Sequence, residues 1–138
     1  MFPLLAQYLV IGLGGALGSM LRFGLASAID MKMVKAGGLV FPLGTIVVNI
    51  TGCLIIGFIA TVSSTEGRIF LSPLTRQFIM IGILGGYTTF SSFSLQTLML
   101  AQGGQWGAAA ANVLISVVLC LVGVWLGAAL AQSFNQLR

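Results

Sequence analysis

Apolar residues in this chain neither alternate nor recur at every third or fourth position; they run on without a polar face. Four stretches, roughly 4–29, 41–63, 75–101 and 106–133, are mainly apolar. Each exceeds the roughly 20 residues an α-helix needs to cross the hydrocarbon of a bilayer. The pattern predicts an all-α membrane protein in which 1–138 is a single domain of four transmembrane helices. The first connection holds Asp30-Met31-Lys32-Met33-Val34-Lys35 and Gly37-Gly38, the second Ser63-Ser64-Thr65-Glu66-Gly67-Arg68 and Ser72-Pro73. The third is only Gln102-Gly103-Gly104-Gln105, which makes the last two spans antiparallel neighbours. The N-terminal MFPLLAQYLVIGLGG lacks a basic leader and a small-residue cleavage site, so it is expected to stay as the first span.

Composition agrees and narrows the chemistry. Of 138 residues, 58% are hydrophobic and 6% charged, where a soluble domain carries about 25% charged residues. There is no His, and the two carboxylates, Asp30 and Glu66, lie in connections. A His base, a carboxylate pair or a conventional metal cage has nothing to be built from, and an enzyme is not expected. The net charge of +4 comes from scattered residues rather than a patch; it fits anionic headgroups, not nucleic acid. Cys53 and Cys120 lie inside apolar runs and are expected to be small core residues, neither with a partner for a metal site.

The charges do not orient the chain. With a cytoplasmic N-terminus, Arg68, Arg76 and Arg138 fall on one side, and Lys32, Lys35 and Arg22 on or near the other. Such a balance gives no positive-inside bias, and the chain is expected to insert both ways and pair as an antiparallel dimer. Gly14 and Gly18, Gly82 and Gly86, and Gly123 and Gly127 are small-xxx-small pairs that let helix backbones approach.

Polar groups inside a span are costly unless partnered, so they mark where function is sought. Thr45 and Asn49 share one face of the second span; Asn112, Ser116 and Cys120 form a stripe on the fourth. They read either as pore lining or as interhelical hydrogen bonds. The third span is different in kind: Gly85-Gly86-Tyr87-Thr88-Thr89-Phe90-Ser91-Ser92-Phe93-Ser94, then Gln96 and Thr97. Glycine pairs and β-branched threonines suit an unbroken helix poorly, so a break is expected between Gly85 and Thr88. A break frees carbonyl oxygens that suit a hard cation such as Na⁺. The half-helix starting near Thr89 aims free N–H groups at the same depth. Ser91 and Ser92 add hydroxyls, Gln96 an amide, and Phe90 and Phe93 ring edges whose hydrogens carry positive partial charge. An interior with donors and no carboxylate suits a small anion, whereas cation pathways use Asp or Glu. Arg22 either draws anions toward a vestibule or snorkels to the interface.

The strings GGALGSMLRF, GTIVVNITG and GILGGYTTFSSFS resemble the Fluc (CrcB-type) fluoride channels over nearly the whole chain. The resemblance implies a fluoride-selective passive channel in a prokaryotic cell membrane, a dual-topology homodimer with two antiparallel pores. It implies that Phe90 and Phe93 face fluoride, that Asn49 contacts it, and that Thr45, Ser91 and Ser92 form a polar track. It further implies that Gly85 and Thr88 lend carbonyls from both subunits to a structural Na⁺, with Arg22 at the vestibule. Gln96 stands where many relatives have Glu. Asn112 and Cys120 stand where some have Tyr and Ser, while Ser116 keeps its hydroxyl, and Ser92 replaces the more usual Thr. A proton-coupled exporter of cationic drugs is the main rival, but it needs a membrane-embedded carboxylate that no span contains. A scaffold whose polar stripes are helix glue is the other.

Overall fold

A computed structural model describes residues 4–35, 41–65 and 67–136, with the Lys35 side chain excluded. Gly37-Gly38, Glu66 and Arg138 lie outside the described residues. Among the described residues, four helical stretches are long and apolar enough to cross a membrane: Leu4–Val34, Leu43–Val62, Pro73–Gln102 and Trp106–Gln136. The expected four-helix membrane architecture is therefore present. The first helix runs Leu4–Lys35, further than expected, and absorbs Asp30 to Lys35. Met and Lys are good helix formers, and nothing before the glycines stops the winding.

The fourth helix, Trp106–Gln136, displays the inside-out pattern of a bilayer protein. Its buried positions are small or polar, namely Ala109, Asn112, Ser116, Gly123, Gly127 and Ala131. Its large residues face outward, with Leu121 67% and Trp125 68% exposed. Lipid solvates the leucines as well as a protein core would, so burial is left to residues that let backbones approach or that need hydrogen bonds.

Two glycine seams build the bundle. In one, the fourth helix lies against the second, Leu43–Val62: a Cβ on Gly127 would strike the Leu54 carbonyl, and one on Gly57 the Val124 carbonyl. In the other, the first helix lies against the N-terminal half of the third span. There a Cβ on Gly14 would come 2.7 Å from the Phe78 carbonyl, and one on Gly86 2.5 Å from the Gly15 carbonyl.

Helix starts are capped by short polar side chains. Ser72 accepts from Thr75 N–H ahead of Pro73, and Asp30 Oδ1 accepts from Gly44 N–H at 2.9 Å where the second helix begins. The second connection is clasped to the end of the fourth helix. Arg68 N–H donates to Asn135 Oδ1 at 3.1 Å, and the Arg68 guanidinium lies 5.2 Å from the centre of the Phe134 ring.

The third span opens with one α-turn, Pro73–Arg76, and continues as a π-helix over Gln77–Leu84 and a helical turn Gly85–Tyr87. The π-wound stretch was not anticipated; such windings recur at functional sites. The chain then goes extended at Thr88 (φ −83°, ψ 157°) and Thr89 (φ −153°, ψ 116°), and a new helix runs Phe90–Gln102. The expected break is present, but shifted to the threonines. Gly85 itself is helical (φ −65°, ψ −36°). The β-branched residues, which tolerate extended backbone, carry the break.

Candidate functional site

The break is held by the second helix. Asn49 Nδ2 donates to the Thr89 carbonyl at 3.0 Å, and Asn49 Oδ1 accepts from Thr89 N–H at 2.8 Å. One amide thus satisfies both polar groups of a buried extended residue, which would otherwise cost about 1–3 kcal/mol each. Of the two readings open for Asn49, pore lining and interhelical hydrogen bonding, the second is present here and holds the interruption open. Of its four hydrogen-bonding positions, two are used here.

Thr89 caps the second half-helix. Its Oγ1 accepts from Ser92 N–H at 3.2 Å and lies 3.3 Å from Ser91 Oγ and 3.1 Å from Ser92 Oγ. These bonds have a consequence for two carbonyls. An unbroken helix would aim Thr89 N–H at the Gly85 carbonyl and Ser92 N–H at the Thr88 carbonyl. Both donors are spent instead on Asn49 Oδ1 and Thr89 Oγ1. Gly85 and Thr88 are the two residues whose carbonyls were expected to face a cation. The Thr88 hydroxyl is otherwise engaged, donating to the Leu84 carbonyl at 3.0 Å.

The surface beside the break is concave, a cavity of about 400 Å³. Asn49, Gly85, Thr88, Phe90, Phe93 and Ser116 all line it, together with Thr89, Cys53 and Cys120, and no carboxylate does. The two rings touch, with centroids 5.2 Å apart and planes at 49°. They do not share an environment: Phe93 is 7% exposed and Phe90 75%. Phe93 belongs to the wall, while Phe90 stands out from it. The Phe90–Gln102 helix begins at this wall, with the Ser92 amide taken by Thr89 Oγ1.

Other expected site residues lie elsewhere. Thr45 is buried one turn before Asn49. Asn112 Nδ2 donates to Thr97 Oγ1 at 2.8 Å, and Asn112 Oδ1 accepts from Ser116 Oγ at 3.4 Å, so this stripe ties the fourth helix to the second half of the third span. Gln96 lines a second cavity of about 300 Å³ with Asp30, Pro42 and Gln105, and its Oε1 is buried without a hydrogen-bond partner. Arg22 is half-buried and lines neither of these two cavities.

Two contributors, Thr89 and Tyr87, are not singled out as site residues by the sequence pattern. Thr89 was legible as a helix cap, being a Thr ahead of an apolar run. Tyr87 was not: its hydroxyl meets Thr51 Oγ1 at 2.9 Å, a pairing between residues 36 apart in the chain. Cys53 and Cys120, expected to be small core residues with no partner placed for a metal site, both border the recess.

Fold and site together define a multi-pass, all-helical membrane protein with an interrupted span opening on a mainly apolar recess that carries a few polar groups and no carboxylate. The family model described as CrcB-like protein, Camphor Resistance (CrcB), matches residues 9–128, and the chain belongs to this family. It is 52% identical over 134 residues to the fluoride-specific ion channel FluC of Opitutus terrae, covering 97% of this chain and 98% of that one. It is 54% identical over 129 residues to the fluoride-specific ion channel FluC of Rhodospirillum rubrum, covering 94% and 97%. For the protein of the same name from Paramagnetospirillum magneticum the identity is 48% over 129 residues, covering 94% and 98%. The resemblance drawn from the three sequence strings is thereby established, and these relatives carry the name of a channel rather than an enzyme.

Proposed function

We propose that this protein is a fluoride-selective passive channel that exports cytoplasmic fluoride across a prokaryotic cell membrane and so lowers its toxicity. The observation that carries this reading is the recess at the Thr88–Thr89 break. It joins two phenyl rings, an asparagine amide and the first turn of a half-helix, with no carboxylate on the wall. A small anion shedding water needs donors. Amide N–H groups and positive ring edges supply them without the full charge that would trap it. In this reading Phe90 and Phe93 meet the ion edge-on and Asn49 offers its remaining N–H. Thr45, Ser91, Ser92, Asn112 and Ser116 form a polar track, Gln96 lies toward one mouth and Arg22 toward a vestibule. The names of the relatives from Opitutus terrae and Rhodospirillum rubrum support the choice of fluoride.

The working unit in this proposal is an antiparallel, dual-topology homodimer in lipid with two pores. Its support is the balanced charge and the exposure of Phe90 at the edge of the recess, where a second copy would enclose the ring. A structural Na⁺ at the dimer centre belongs to the same proposal. The Gly85 and Thr88 carbonyls fit it because both have lost their helical N–H donors, and oxygen is the ligand a hard cation takes. One chain offers two such oxygens, so two copies would be needed to surround an ion. Bound there, Na⁺ would pin the two breaks against each other.

Fluoride efflux from proteoliposomes, followed with a fluoride electrode, tests the function. Rapid, uncoupled efflux that chloride does not share is expected. A flat trace from monodisperse protein would overturn the reading and favour a scaffold.

A further inference from the structure

The polar stripes of the second and fourth helices each continue one turn beyond Asn49 and Ser116 along the recess, and each next rung is a thiol. Cys53 follows Asn49 by four residues, and Cys120 follows Ser116 by four. All four line the same cavity. The two helices are pressed together by the glycine seam. A Cβ on Gly123, three residues beyond Cys120 and on its face, would sit 3.6 Å from the Cys53 Cβ. The two cysteines therefore lie on helices packed against each other and border one cavity. Both cysteines are free, and neither is fully buried.

We propose that Cys53 and Cys120 form a two-thiolate site for a soft divalent metal ion of linear coordination, Hg²⁺ being the type. Thiolate sulfur selects soft ions. Two thiolates and one divalent ion make a neutral unit, which a low-dielectric wall accepts, whereas a monovalent ion would leave a net negative charge there. Zn²⁺ needs four ligands, and the described residues gather no third Cys, His or carboxylate. The Met80 thioether lines the same cavity, but its sulfur accepts from Arg76 Nε at 3.4 Å. Binding breaks two S–H bonds, forms two Hg–S bonds and releases two protons, with no change of oxidation state.

A second consequence rests on the channel reading: an ion bridging these thiols sits one turn from Asn49 and Ser116 and obstructs fluoride. The test is a titration of the purified protein with HgCl₂, counting bound mercury and remaining free thiols. One ion per chain that consumes both thiols is expected. Cys53→Ser and Cys120→Ser should each release mercury to a competing monothiol at a concentration lower by about 100-fold or more, because the second sulfur no longer holds the ion. Two mercury ions per wild-type chain, or serine variants that resist the competitor as well as wild type, would overturn the site. Efflux is then measured with and without mercury, each variant serving as its own reference. Block of wild type, relieved by dithiothreitol and absent in the double serine variant, supports the obstruction. Bridged mercury with unaltered efflux overturns the obstruction and leaves the site standing. Absence of efflux before any metal is added counts against the channel reading alone.

Discussion

Gly85 and Gly86 are adjacent in the chain and belong to two different surfaces. Gly86 faces the first helix, where an added Cβ would come within 2.5 Å of the Gly15 carbonyl. Gly85 looks the other way, onto the recess; the nearest atom to its would-be Cβ is the Met80 carbonyl at 3.8 Å. One glycine closes a seam in which two backbones touch, and the other leaves a gap that this chain does not fill. Absence of a side chain serves packing in the first case. In the second it keeps a backbone carbonyl approachable, and within one chain nothing approaches it closely. The seam carries stability, and the open face carries the functional proposal.

The strongest break of this comparison is on the closed side. Gly18→Val should drive the first helix off the third span, because even a Cβ there meets the Ile83 carbonyl. A loss of about 3 kcal/mol or more is expected, seen as little folded protein by size-exclusion chromatography. A normal elution profile and unchanged thermal unfolding would mean the seam is looser than described.

Asn49 lies between the two regions, and Asn49→Ala is next in size. It strands the N–H and carbonyl of buried Thr89, at a cost of about 2–4 kcal/mol. The midpoint of thermal unfolding in detergent should fall and efflux should collapse with it. Retention of both would show that the break maintains itself.

On the open side, Phe90→Ile and Phe93→Ile keep bulk and remove the positive edge. Efflux should fall at least about tenfold in each, equivalent to about 1.4 kcal/mol on the barrier. Phe93→Ile should also cost some stability, since that ring is buried while Phe90 is exposed. Wild-type rates in both variants would reduce the rings to packing.

Gly85→Ala sharpens the contrast most directly. The residue is helical and its Cβ has room, so the fold should change by no more than about 0.5 kcal/mol, while Gly86→Ala should be clearly destabilising. If the open face meets a second copy, Gly85→Ala should nonetheless reduce the dimer fraction measured by crosslinking in liposomes. Equal thermal destabilisation by the two alanines would erase the distinction between the surfaces. The smallest effect is expected from Thr88→Val. It removes a hydroxyl bonded to the Leu84 carbonyl, worth about 1 kcal/mol, and leaves the backbone oxygen in place. Its efflux should exceed that of Gly85→Ala; a greater loss would point to the hydroxyl as a ligand.

Much of the site was legible before any coordinates. Long apolar runs with few charges permit only membrane helices, and Gly-Gly followed by Thr-Thr announces an interruption, because those residue types resist regular winding. The residues bordering the recess came from asking which polar groups would be too costly to leave in lipid. That argument named Asn49, Ser116 and Gln96 but not their partners. It could not tell that Gln96 belongs to another cavity, with Asp30, because that cavity is assembled from residues far apart in the chain. Nor could it foresee that Asp30 caps the second helix, since the cap joins residues 14 apart through a fold not yet formed.

By itself the sequence determined the solvent, the number of spans, the interrupted third segment and the donor chemistry of the interior. These are local properties: each depends on how a short stretch of side chains partitions between water and lipid, or on what backbone a residue tolerates. Only the tertiary structure decided that the break falls at Thr88 and Thr89 rather than at the glycines. The physical reason is that an asparagine 40 residues away satisfies both polar groups of Thr89 and so makes the extended backbone affordable there. Tertiary packing also decided which of two adjacent glycines is sealed, and it brought Cys53 and Cys120 to one cavity. Such outcomes depend on which backbone arrives opposite which, and apolar runs that look alike in sequence do not specify that.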